Sequence, residues 1–288
     1  FLQCVITDAR HDSSQLAAHT TVSALSSLTK KVLAVVNWSR ANETSAVSRE
    51  VPMTKELLTY LSETQGFHVA EVTYDFVLQL TTWILSKGML DSFDSWYGAK
   101  SVTKAMKEVA SGAQRDEGSK WFFELFDKVK STRTLVYFCM KNSPPNEEEF
   151  QGTLLNVVDH YQGNHVMSKK LLTKPEVVAA CREAIVGTSI YRHASDYMQC
   201  RETYWIESLH SVMLIYAAKR IHHGDDTYNM CMELAILDWN ENVNREASSL
   251  QMYQHTRHPN CLAEIRVLTS KTFNFRGTIW STFFNINK

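Results

Sequence analysis

Short runs rich in β-branched residues crowd the first hundred positions of this chain and then give way to helical text. Residues 4–9 (CVITDA), 20–27 (TTVSALSS) and 31–39 (KVLAVVNWS) read as strands, with Ser, Thr and Lys between them suited to tight connections. A helix is predicted over 52–66, entered at Pro52, with Leu57, Leu58 and Leu61 on one face and Gly66 as its stop. Residues 68–75 (HVAEVTYD) read as a fourth strand, 76–88 as a helix ending at Gly88, and 89–96 as a last strand before a helix over 99–110. Three strands, a helix, a strand, a helix and a strand predict an α/β fold: a mixed sheet flanked by helices on both faces.

From about Gly118 to Glu246 nearly everything carries helix-spaced apolar positions, notably residues 119–130, 147–162, 174–186, 203–220 and 225–239. Residues 142–149 (NSPPNEEE) form a loop, with Glu147 to Glu149 placing favourable negative charge at the start of the next helix. The last forty residues are polar and then aromatic, and pattern alone assigns them nothing. No internal repeat is present.

The 288 residues suffice for one or two domains, and 44% hydrophobic with 21% charged residues is ordinary globular usage. A formal net charge of −1 gives no long-range pull towards nucleic acid or anionic membrane, so any DNA contact must come through local patches or a separate module. No run of 18 apolar residues occurs, so no membrane span is expected. The six scattered cysteines read as reduced thiols of an intracellular protein. The chain begins at Phe1, already inside strand-like text, which suggests a piece of something longer. Neither a P-loop nor a nucleophile-elbow motif occurs.

Two acidic residues stand out. Asp8 follows an apolar run, with Arg10, His11 and Asp12 behind it. It reads either as a strand end before a polar turn or as a metal ligand. Glu207 lies on the helix 203–220, opposite a stripe of Trp205, Leu209, Val212 and Tyr216, yet flanked by Ile206, Leu214 and Ile215. A helix apolar nearly all round is predicted to be buried, and a buried carboxylate must be paired, protonated or metal-bound. A salt bridge is the plainer of these readings. His210 and Ser211 share the face of Glu207. Carboxylates at such places, with the acidic end of VTYD between them, can hold divalent ions about 3.5–4 Å apart for phosphoryl transfer, and Mg²⁺ prefers oxygen ligands. Weaker candidates are His255, His258 and Cys261, three zinc-type donors without a fourth, and the pairs His160/His165 and His222/His223, which read as solvated loop or helix-end residues.

Several segments together resemble a known group. TDARHDSS (7–14) is similar to the D-G-x-x-D-S segment of transposon-encoded proteins common in animal genomes, akin to Kolobok-type cut-and-paste transposases. Residues 20–45 are similar to that group's paired strands, FDSWYGAK (93–100) to its D-x-W-H-x-x-K element and IESLHSV (206–212) to its L-E-A/S-F-H-S/N element. LAILDWNENVNRE (234–246) matches its L-A-x-L-x-x-N-E-N-x-N-R signature.

The resemblance implies an RNase H-like DDE catalytic domain interrupted by an all-α insertion. Its first part is expected over 1–110, the insertion over 111–196, returning helices over 197–250, and an unassigned tail over 251–288. It implies Asp8 as the first catalytic, metal-binding acid and Glu207 as the last. Where the group reads V-T-D-R-H, this chain reads VTYDF (72–76). Either Tyr74 has replaced the middle acid, which would weaken Mg²⁺ binding, or Asp75 serves as the third ligand after a one-residue slip, which turns a strand residue to the opposite face. Tyr97 stands where the group has His. The implied activity is Mg²⁺- or Mn²⁺-dependent cleavage and joining of DNA in the nucleus, without a membrane and with homo-oligomer formation a further expectation. The alternative is an inactive, domesticated descendant serving as a DNA- or chromatin-associated interaction module.

Overall fold

The structure is a computed structural model and describes residues 2–13, 17–40, 45–111, 122–163, 171–219, 221–255 and 258–286. The chain is mixed α/β with a five-stranded mixed sheet of order β3-β2-β1-β4-β5. Strands β1 (Leu2–His11), β2 (His19–Ser26) and β3 (Val32–Ser39) form an antiparallel meander, and β4 (His68–Tyr74) pairs parallel with β5 (Leu90–Phe93). The chain folds as two compact units, Phe1–Val69 with Tyr204–Lys288, and Ala70–Thr203.

In the first unit every residue of β2 is buried, so the meander is covered on both faces. Side chains alternate along a strand, and β1 divides its contacts accordingly. Ile6, Asp8 and Arg10 face helices α9 (Tyr204–Tyr216) and α10 (Asp225–Asn242), while His11 reaches Glu50 of α1 (Ala46–Thr59) at 2.8 Å. Ile6 and Leu25 join Ile206, Leu209, Met213 and Met232 in the core under α9 and α10. The helix expected to start at Pro52 starts six residues earlier. Ser45 caps it by accepting from Ser48 N at 3.2 Å, and Pro52 lies inside it. An internal proline costs an isolated helix about 3 kcal/mol. Here the preceding turn is fixed from outside, by Glu50 on His11 and by the Arg49 guanidinium donating to Ala17 O at 2.7 Å. Residues 60–64 continue as a π-helical turn, and Gly66 ends it at φ +69°, a left-handed position that glycine takes at no steric cost.

In the second unit, α2 (Leu78–Ser86) and α3 (Ser95–Ser111) follow β4 and β5, and α4 (Val129–Asn142), α5 (Glu147–Gln162), α6 (Pro175–Val186), α7 (Ser189–Arg192) and α8 (Ala194–Tyr197) complete a helical body. Helix α5 begins where the acidic run predicts, with Asn146 accepting from Glu149 N at 3.1 Å, and ends at Gly163 with φ +98°. The expected helix over 119–130 is corrected: Phe123–Leu125 is a 3₁₀ turn and the helix starts at Val129. Phe123 and Phe126 supplied the helical spacing but are exposed, whereas Thr132, Val136, Cys139 and Met140 are buried and fix the helix further along. The tail, back in the first unit, folds as an antiparallel ribbon of β6 (Ala247–His255) and β7 (His258–Leu268), then α11 (Asn274–Ile286).

Candidate catalytic site around Asp8

Asp8 is not at a strand end, because β1 continues to His11. It lies partly open on the α9 face between Ile6 and Arg10, and its Oδ1 accepts from Ala9 N at 2.7 Å. The residues crowding behind it are structural. The Arg10 guanidinium, buried, donates to Tyr228 Oη at 3.1 Å and to Ala217 O at 2.9 Å. His11 lies between Thr20 and Glu50. Asp12 holds His19 at 2.9 Å, and the other ring nitrogen of His19 meets Asp225 at 3.0 Å while its ring stacks on Tyr228. These contacts fasten α10 to the meander and leave Asp8 to face α9.

There His210 Nδ1 stands 3.6 Å from Asp8 Oδ2. Burial, and then the charges of Arg10, Lys219 and His11, push the imidazole down to about 3. The ring is therefore neutral near pH 7, and the pair is no salt bridge. His210 Nε2 is buried without a hydrogen-bond partner among the described residues. So is the hydroxyl of Ser23, the direct cross-strand neighbour of Asp8 on β2. Orphaned buried polar atoms are rare in folded proteins, and two of them adjoin one partly open carboxylate. Glu207 sits three residues before His210, hence on the same helix face. It is exposed, so the expectation of a buried carboxylate is corrected. Only Ile206, Leu209 and Met213 of α9 are buried, while Leu214 and Ile215 on its flank are open to solvent.

In the second unit, Tyr74 is buried at the end of β4. Its phenol shares a hydrogen bond with Thr81 Oγ1 at 2.7 Å and donates to Asp91 Oδ2 at 3.4 Å, and its ring meets Phe93 edge-on. Burial pushes the phenol well above its usual range. Asp75, the next residue, is half-buried. Sequence reasoning missed Asp91 and Asp196, whose carboxyls are raised by burial first; the charge of Asp91 raises Asp196 further. Nothing in MLDSFDSW distinguishes Asp91 from a surface residue, because the partners that bury it come from elsewhere in the chain.

Two of the resembling motifs do structural work. In FDSWYGAK, Asp94 caps α3 by accepting from Trp96 N at 2.7 Å and accepts from the Thr203 hydroxyl. Gly98 lets Tyr197 approach, since a Cβ there would stand 2.8 Å from the ring. Lys100 Nζ lies 4.3 Å from the Trp96 ring centroid. In LAILDWNENVNRE the polar residues form a clasp. The Asn240 amide pairs with both backbone groups of Val32, at 2.7 and 3.2 Å, and the Asn242 amide does the same with Thr272, at 2.9 and 3.0 Å. Trp239 Nε1 donates to Lys30 O at 2.8 Å, and Asn244 to Thr29 O at 3.0 Å. Buried Asp238 accepts from Lys271 at 2.8 Å, from Asn242 at 3.0 Å and from Tyr216 at 3.2 Å.

The donors around Asp8 suit a hard cation in kind, being carboxylate and hydroxyl oxygens. Among the described residues, no cluster of three or more His, Cys, Asp or Glu side chains is already gathered to hold a metal. The side chains of His255 and His258, and residue His165, lie outside what the structure describes. No helix among the described residues is long and apolar enough to cross a membrane. No family model matches this chain, and no curated protein matches it.

Proposed function

We propose that this chain is an RNase H-like catalytic domain of the DDE type, acting on DNA by metal-dependent strand cleavage and transfer, with the all-α segment inserted in it. The observation that supports the reading is Asp8: a partly open acid on β1 of a sheet ordered β3-β2-β1-β4-β5, 3.6 Å from His210 of α9, with the hydroxyl of its cross-strand neighbour Ser23 and the Nε2 of His210 left without partners among the described residues. On this reading Asp8 and Glu207 of the first unit would hold Mg²⁺ or Mn²⁺, and the resemblance implies Asp75 as the third acid. Bound there, such ions would supply charge stabilisation for the oxygens of phosphoryl transfer.

The second reading, a domesticated descendant without catalysis, is favoured by one observation. Tyr74, at the place of the middle acid in the resembling group, is committed to Thr81 and Asp91. Calorimetric titration with Mn²⁺ of the native chain, Asp8→Ala, Glu207→Ala and Asp75→Ala separates the readings. The enzyme reading expects binding that each substitution weakens by tenfold or more, since each removes a charged ligand, on the order of 1.4 kcal/mol or above. Binding lost in Asp8→Ala but unchanged in Asp75→Ala supports the degraded site. No native binding at millimolar Mn²⁺ removes the catalytic reading. Tyr74→Asp is a poorer probe, because it opens a cavity beside Phe93 and sets a second carboxylate next to Asp91.

A further inference from the structure

We propose that the β6–β7 ribbon is a dimerisation arm, through which two copies of this chain pair their β7 strands antiparallel about a two-fold axis at Ile265. The inference is independent of the catalytic reading.

The ribbon forms a sheet of its own, of order β6-β7, and among the described residues no further strand pairs with β7 on its other edge. A lone two-stranded ribbon is marginal in water, and an open edge invites pairing with another chain. The register sets Leu250 opposite Arg266, Met252 opposite Glu264 and Gln251 opposite Ile265. Residues opposite each other share a face. Leu250, Met252 and Leu262 therefore lie on one face, and Tyr253, Ile265 and Val267 on the other. All six are exposed, from 37% for Val267 to 71% for Leu262. Each face of the ribbon thus carries three exposed apolar side chains, next to an edge of β7 that is open among the described residues.

The occupant is named by the strand itself. Residues 262–268 read LAEIRVL, a near-palindrome about Ile265. Antiparallel pairing centred there sets Ile265 against Ile265 of the second copy, Glu264 against Arg266, Ala263 against Val267, and Leu262 against Leu268. Both Glu–Arg pairs form at once, because a two-fold interface uses the same patch twice. The flanking pairs are apolar on apolar. Register is strongly specified, since a shift of one residue per strand pairs like charges or sets charge against Leu.

Sedimentation velocity or light scattering of the whole chain over a concentration series tests this. The native chain is expected to dimerise with rising concentration. Arg266→Glu and Glu264→Arg each set two like-charged pairs face to face and weaken the dimer roughly tenfold or more. The charge-swapped double variant, E264R with R266E, restores it, and far-UV circular dichroism of each single variant matching the native chain shows that they fold. In a Cys261→Ser background, I265C crosslinks two copies on mild oxidation, and A263C does not. A native chain that stays monomeric at about 100 μM, a dimer indifferent to Arg266→Glu, a double swap that fails to rescue, or an I265C without a crosslink each overturns the proposal. A ribbon that serves a different partner gives the first of these results.

Discussion

Two aspartates of the first unit face opposite situations. Asp238, on α10, is 2% exposed and accepts hydrogen bonds from Lys271, Asn242 and Tyr216. Asp8, on β1, is partly open, and its neighbours Ser23 and His210 each keep a buried polar atom without a partner. A saturated acid holds a fold together. The neighbours of Asp8 each carry the cost of an unsatisfied buried polar atom, as do buried groups elsewhere such as Arg49 and Ser95.

The sharpest way to break this comparison is to remove both acids. Asp238→Ala strands Asn242 and Tyr216 and leaves Lys271 without its counter-charge, so about 3 kcal/mol of stability should go. Asp8→Ala should cost less than about 1 kcal/mol. Urea unfolding of the two variants measures the gap, and equal losses would erase the distinction.

Acid titration comes next. The folded-state pKa of His210, about 3, lies below its ordinary value of 6.5. Above about pH 6.5 both states are neutral there and the group contributes nothing. As pH falls below that, the unfolded chain takes a proton that the folded chain refuses, and the loss levels off below about pH 3. Between pH 7 and 5 this amounts to about 2 kcal/mol. His210→Asn should flatten that part of the pH–stability curve, read by thermal melts in metal-free buffer. An unchanged slope would place the acid sensitivity elsewhere.

Two smaller effects separate clasp from site. Asn242→Ala removes two bonds to the Thr272 backbone and two to Asp238, one to its carbonyl and one to its carboxylate, and should cost about 1.5 kcal/mol. Ser23→Ala runs the other way. Deleting a buried hydroxyl that has no partner should stabilise the fold by up to about 1 kcal/mol, while lowering Mn²⁺ affinity if the hydroxyl serves a bound ion. Melting temperature and calorimetry on the same sample read both halves of that statement.

The sheet was legible because its strands are short and β-branched: β1, β2, β3 and β4 lie where the sequence predicts them, within two residues at each end. Asp8 and Glu207 were legible as candidates, but that His210 is the α9 residue beside Asp8 was not. The start of α1 was not, since Pro52 is a local signal and the turn before it is held by His11 and Ala17, far away in the chain. Nor was the exposure of Glu207: apolar residues around a helix do not tell which of them find a neighbour. Most opaque was WNENVNR, whose asparagines mark no chemistry until Val32 and Thr272 present both backbone groups to their amides.

By itself, then, the sequence determined the strand and helix succession of the first hundred residues, the stop at Gly66, the acidic start of α5, and the two-fold pattern of charge and bulk in residues 262–268, all of which depend on neighbours a few positions away. Tertiary structure alone decided which acids are spent and which are open. Asp238, Asp94 and Asp8 are the same residue type in similar local text. What separates them is whether Lys271, Thr203 or His210 arrives beside them, because a carboxylate's energy is set by the charges and donors within a few ångströms of it, and those come from distant parts of the chain.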